Sequence, residues 1–222
     1  MLNQDAPGTR ERLVGAALRL FAEKGYAATS IAEILRLAEV NSGSLYYFFP
    51  GKQDLLLAVL DAYRTGIGPM LLEPAWQGVD DPVERVFALL ARYRQALART
   101  GCTYGCPIGS LALEIHDPDP PVRAALAANF TAWIDAIAGC VEAARGRLAP
   151  DIDVRATAEL VLAVMEGAVM QARTQRDLGA FDRAIAQLRR HFDGLAAARP
   201  RATARPPGPS GPSRTSRTRK PR

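Results

Sequence analysis

Asn41, Ser42, Gly43 and Ser44 set four small residues in a row, followed by Tyr46 and Tyr47 and, past Pro50-Gly51, by Lys52. The chemistry open to such a set is recognition, not bond-making. Short amide and hydroxyl side chains can approach base edges, glycine lets the backbone come close, phenols reach phosphate oxygens and an ammonium pairs with a phosphate. Upstream, Ser30 followed three residues later by Glu33 makes a capping box that opens a helix. The free N–H groups at that helix start suit a further phosphate, which adds Thr29 and Ser30 to the candidates.

Catalytic signals are weak by comparison. There are two histidines, His116 and His191, with neither a Gly-rich phosphate loop nor a Gly-x-Ser-x-Gly elbow. No enzymatic activity and no cofactor are expected. Cys102 and Cys106, four apart with His116 nearby, suggest a thiol- or metal-responsive sensor as an alternative. A metal site needs four well-spaced ligands, and Cys140 is remote in sequence, so structural packing is the preferred reading and no metal is assigned.

The elements that must position these residues are helical almost throughout; no alternating segment bounded by turns argues for a strand. A first helix is expected from Thr9, as N-cap, to Lys24, with Leu13, Ala17, Leu20 and Phe21 inward and Gly25 as a left-handed stop. A second buries Ile31, Ile34, Leu35 and Ala38. The third opens at Ser42, carries Leu45 and Phe49 four apart and must stop before Pro50. Longer helices follow at about 52–66, 81–100, 108–116, 119–147, 153–176 and 180–197, with Gly66, Gly68 and Pro69 expected to end the first of them. The fold class is all-α: an N-terminal three-helix helix-turn-helix unit (1–51), a larger helical body (52–198) and a basic tail (199–222).

Charge separates that tail from the rest. Eight of the 28 lysines and arginines lie between Arg199 and Arg222, leaving 20 against 23 acids in the weakly acidic body. The tail also holds six of the 16 prolines and no large apolar residue, so it cannot bury a core. It reads as a disordered solubilising segment, or as an electrostatic arm adding salt-sensitive DNA affinity. An odd cysteine count and no basic-then-apolar leader point to the cytoplasm. No run of about 18 uncharged apolar residues suggests a membrane span.

Residues 10–56 resemble the DNA-binding domain of the TetR family of bacterial transcriptional regulators. The resemblance is carried by Gly25-Tyr26, Thr29-Ser30-Ile31 and Gly43-Ser44-Leu45-Tyr46-Tyr47-Phe48-Phe49-Pro50-Gly51-Lys52-Gln53-Asp54-Leu55, in the family's order and spacing. Glu39 stands where the family usually has a turn glycine, Ser42 where a basic residue is common, and Phe48, which cannot hydrogen-bond DNA, where His or Tyr is frequent. The resemblance implies a homodimeric, ligand-responsive DNA-binding protein, a repressor released from a palindromic operator by a small, largely apolar effector. It places Thr29, Ser30, Asn41, Ser42, Gly43, Ser44, Tyr46, Tyr47 and Lys52 on double-stranded DNA.

It also implies that the larger body pairs two protomers and encloses a ligand. Helices 153–176 and 180–197 carry small and apolar residues suited to a four-helix interface: Ala156, Leu160, Ala163, Val164, Gly167 and Ala168 on one, Ala184, Ile185, Leu188, Phe192 and Leu195 on the other. Among the body's aromatics and methionines, Phe130, Trp133 and Met165 are the preferred pocket walls, ahead of Tyr63, Phe87, Tyr93 and Met170. Glu166 or Gln171 would supply the polar contact. The segment Cys102 to Glu114 resembles an element found in some family members and reads as a loop entering a helix.

Overall fold

The computed structural model describes residues 8–197, and among these no strand occurs. The basic tail therefore lies outside the described residues. The first unit comprises α1 (Thr9–Lys24), α2 (Ile31–Ala38) and α3 (Ser42–Phe48). Thr9 is the first helical residue and not the cap: Gly8 takes that position without a side-chain bond. The capping box of α2 is formed on both sides, Ser30 accepting from the Glu33 N–H and Glu33 from the Ser30 N–H. Asn41 caps α3 by accepting from the Ser44 N–H at 2.9 Å.

Glu39 ends α2 in the left-handed conformation (φ 54°, ψ 47°), and Val40 N–H bonds back to Leu35 C=O. This is the helix stop that usually recruits glycine, adopted here by a residue with a Cβ. Gly25 behaves differently: its φ is 91° but its ψ is 167°, so it leaves α1 in an extended form open only to glycine.

α4 (Lys52–Ile67) departs from expectation, because Gly66, Gly68 and Pro69 do not end it. The chain stays helical through a π turn, Gly68–Leu72, into a short α5, Glu73–Trp76. Pro69 has no N–H to donate and its ring crowds the carbonyl one turn back; the wider turn, closed by Glu73 N–H on Gly68 C=O, accommodates both defects. α6 (Pro82–Arg99), α7 (Pro107–Glu114), α8 (Pro120–Ala144, ending in a 3₁₀ turn), α9 (Val154–Gln175) and α10 (Gly179–Ala197) complete the body.

Two apolar cores result. The smaller joins Leu13, Leu20 and Phe21 of α1, Ile34 of α2, Leu45 and Phe49 around α3 and Leu55, Leu56, Val59 and Leu60 of α4 with Leu111 of α7 and Val122 and Leu126 of α8. The larger fills the space between α6, α8, α9 and α10. Ion pairs fasten its edges: Arg94 to Asp182 and Arg189 to Glu84, both two-pronged, join α6 to α10, and the Arg189 guanidinium lies 3.4 Å from the Phe87 ring centre. The stretches Lys52–Trp76 and Pro120–Arg147 are long and apolar enough to cross a membrane by composition. Here Leu55, Leu56, Val59 and Leu60 of the first, and Trp133, Ile137 and Val141 of the second, face the two cores.

Candidate DNA-binding face and buried cavity

α3 is short because Asn41 caps its start and Pro50 closes its end, so the helix is little more than a platform for its outward side chains. Leu45 faces inward with no exposure, while Tyr47 is 83% exposed and Tyr46 54%. Phe48 lies edge-on to Tyr47 at 4.9 Å and stands beside it at the surface. Asn41, Ser42 and Gly43 are exposed and Ser44 is half-buried. The Ser44 hydroxyl donates to Asn41 Oδ1 at 3.1 Å, so part of the hydrogen-bonding capacity of this pair is spent on the cap. Ser30 is exposed at the start of α2.

Two candidates have side-chain partners within the protein. Thr29 is 1% exposed, and its hydroxyl donates to Gly25 C=O at 2.7 Å. Its side chain therefore shapes the α1–α2 turn and is shielded from any phosphate. Lys52 is half-buried: Nζ donates to Tyr26 C=O at 2.5 Å and sits 4.3 Å from the Tyr26 ring centre. Burial lowers its pKa, as it does for any ammonium taken partly out of water. Lys52 thus pins the start of α4 to the turn ahead of α2.

A third residue bonded to that turn was not singled out by sequence. Glu114, the last residue of α7, accepts from Tyr26 N–H at 2.8 Å and Ala27 N–H at 2.7 Å. A Cβ on Gly25 would fall 2.7 Å from a Glu114 carboxylate oxygen, so glycine serves here both for its positive φ and for the close approach. The distance of 88 residues between the partners explains why spacing alone gave no signal.

The other end of α7 meets a cavity of about 390 Å³ inside the body, within the range of small-molecule sites. Its walls are mostly apolar and aromatic and include Tyr63 and Ile67 of α4, Tyr93 of α6, Phe130 and Trp133 of α8 and Met70 of the π turn. A second, more open cavity of about 580 Å³ lies on the α7–α9 side. Cys106, Phe130 and Glu166 line both and form the partition between them. Phe130, Trp133 and Glu166 thus line the cavity. Met165 does not: it has no exposure and belongs to the larger core. Phe87 packs on Phe192, and Met170 lies at the surface of α9. Gln171 is exposed.

Glu166 is held in a slot made by Gly109 of α7, where a Cβ would come within 2.2 Å of its Oε2. Its Oε1 is buried with no hydrogen-bond partner. Burial raises its pKa, partly opposed by the Cys106 thiol beside it. The same proximity works against thiol reactivity, since Cys106 is pushed far above the ordinary thiol range, first by burial and then by the Glu166 charge. A sensing thiol needs the opposite environment. Cys102 and Cys140 are buried too, and no cluster of three metal-ligating side chains occurs among the described residues.

Comparison with known proteins places these features in a family. Residues 13–59 match "Bacterial regulatory proteins, tetR family", and residues 82–188 match "Tetracyclin repressor-like, C-terminal domain". An uncharacterized HTH-type transcriptional regulator of Mycobacterium tuberculosis is 34% identical over 188 residues, covering 82% of this chain and 93% of its own. The transcriptional regulator AcuR of Cereibacter sphaeroides is 32% identical over 173 residues, 77% of this chain and 79% of that protein. The crystal structure of a TetR regulatory protein from Rhodobacter sphaeroides superimposes with a TM-score of 0.76 at 31% identity, covering 83% of this chain and 98% of that one. The chain is a member of the TetR family of bacterial DNA-binding transcriptional regulators.

Proposed function

We propose that the protein is a homodimeric, ligand-responsive repressor that acts in the cytoplasm and leaves a palindromic operator when a small effector fills the α4–α6–α8 cavity. Helix α7 carries this reading. Cys106, its N-cap, and Pro107 and Ile108 in its first turn line the cavity, while Glu114 at its other end holds the backbone of the Tyr26–Ala27 turn. Eight residues of helix thus span from ligand space to the segment that orients α2. A displacement of α7 by ligand therefore reaches the DNA-binding unit through a rigid rod and two charge-assisted hydrogen bonds.

Base contacts are assigned to Ser42, Gly43, Asn41 and Ser44, phosphate contacts to Tyr47, Tyr46 and Ser30, all on the exposed side of α2–α3. Exposed apolar residues on α9, Leu160 at 40% and Met170 at 52%, with Ala163 between them, form the face given to the second protomer. Ala168, Leu188 and Phe192 face the protomer's own core. A two-fold dimer presents its two recognition helices to half-sites about one helical turn, roughly 34 Å, or a multiple apart. The effector must favour the DNA-incompetent arrangement, because equal affinity for both shifts nothing.

The test is binding of the full chain to the DNA upstream of its own gene against a scrambled duplex, at two salt concentrations. A sequence preference that persists at the higher salt supports the reading. Equal binding to both duplexes overturns it, since phosphate attraction alone would then account for the affinity.

A further inference from the structure

The inner end of the α4–α6–α8 cavity gathers four side chains that can only lose by becoming negative. Tyr63 comes from α4, Tyr93 from α6, Cys106 from the N-cap of α7 and Glu166 from α9. All four have pKa values raised, by burial first in every case. Coulombic repulsion links them: Cys106 acts on both tyrosines and Glu166 on Cys106 and Tyr93. Among the described residues, no lysine or arginine contributes to any of these four shifts. Arg92 also lines the cavity, and Arg173, two turns along α9 from Glu166, is bonded to the Ser110 hydroxyl.

Geometry adds what titration cannot. Gly109 leaves a slot for the Glu166 carboxylate, and the Oε1 it holds there is the one buried, unpartnered side-chain oxygen or nitrogen among the described residues. An orphaned acceptor in a native interior calls for a missing partner. Beside it, Phe130, Trp133 and Tyr63 offer aromatic surface, the Trp133 N–H being already committed to the Tyr93 hydroxyl at 3.1 Å. A carboxylate without a protein cation, set among aromatic rings, matches a positively charged head on an apolar body.

We propose that this cavity selects a lipophilic monocation, its ammonium-type head against Glu166 and its apolar part along Phe130, Trp133 and Ile67. The assignment of this ligand as effector rests on the repressor reading above; the cavity's preference for charge does not. An anion would be repelled by the Glu166 carboxylate, and a neutral ligand would leave Glu166 without a counter-charge. The cation's affinity rises with pH as the Glu166 carboxyl ionises.

The experiment is calorimetry on the full chain with three probes of similar length: (4-phenylbutyl)trimethylammonium, 5-phenylpentan-1-ol and 5-phenylpentanoate, between pH 5 and 8. The ammonium ion is expected to bind roughly tenfold more tightly than the other two, increasingly so toward pH 8. Glu166→Gln, near-isosteric, should remove the preference while changing alcohol binding by less than about twofold. Gly109→Ala, which pushes the carboxylate from its slot, provides a second variant and should weaken ammonium binding alone. Equal or tighter binding of the alcohol or carboxylate, no ammonium binding, or a preference that survives Glu166→Gln overturns the proposal. Release of operator DNA is read separately: selective ammonium binding without release upholds the charge preference and removes the effector reading.

Discussion

Tyr47 is a large aromatic left 83% exposed on a seven-residue helix, an arrangement that burial alone does not explain. With so little of it buried, its removal should cost the fold almost nothing, and the proposed DNA contact directly. Tyr47→Ala is expected to leave the melting temperature within about 1 °C while weakening operator binding about tenfold or more, measured by fluorescence anisotropy on a labelled duplex. Glu39 makes the complementary case, an exposed residue held in a strained backbone conformation. At φ 54° it occupies a conformation that costs a Cβ-bearing residue about 1 kcal/mol. Glu39→Gly should therefore raise the melting temperature by about 2–4 °C, less whatever the freer unfolded chain takes back.

Helices here are coupled by their ends. Glu114 terminates α7 on two backbone N–H groups of the α1–α2 turn, and Lys52 begins α4 on the carbonyl of the same turn. Glu114→Gln keeps one acceptor oxygen but loses the charge, an expected cost of about 1–2 kcal/mol in urea unfolding. In a titration of operator release, the same variant should need several-fold more ligand or release only partly. Acid acts on the helix starts. Glu33 is lowered from its ordinary 4.5 to about 2, first by its bond to Lys24 and then by the Ser30 N–H. Asp81, capping α6 and paired with Arg147, is lowered further still. For both acids the folded pKa lies below the unfolded one, so their stabilisation is complete above about pH 4.5 and fades as pH falls toward 2. Helical circular dichroism should loosen over that window, and Asp81→Asn should flatten part of the response. Both sites are open to water, so added salt should reduce the effect.

On the scale of the molecule, the smaller core does not close on itself. Leu111, Val122 and Leu126 from the body are buried in it, so the N-terminal unit moves only if α7 and α8 move with it or slide against it. The proposed dimer is tested at the same scale. Met170→Glu puts a charge on the exposed apolar face of α9 and should convert the protein to a monomer by sedimentation at micromolar concentration, with operator affinity falling at least a hundredfold. A dimer unaffected by this change would place the partner elsewhere.

Much of this was readable in the residues themselves, because helices are local. The 3.6-residue spacing of Leu13, Ala17, Leu20 and Phe21, the Ser30–Glu33 box and the Asn41 start of α3 are decided within a few residues of chain, and the structure reproduces them. The exposed tyrosines follow from the same periodicity. Contacts between distant segments do not. Nothing local says that Thr29 turns inward, that Lys52 is taken by the Tyr26 carbonyl or that Glu114 closes on a turn 88 residues away. Met165 and Glu166 are neighbours on one helix, yet one faces the core and the other the cavity, a difference of about 100° that only the placement of α7 and α8 decides. Local sequence determined the helices and which side chains of α3 are exposed; packing at long range decided which polar groups meet and where the cavity lies.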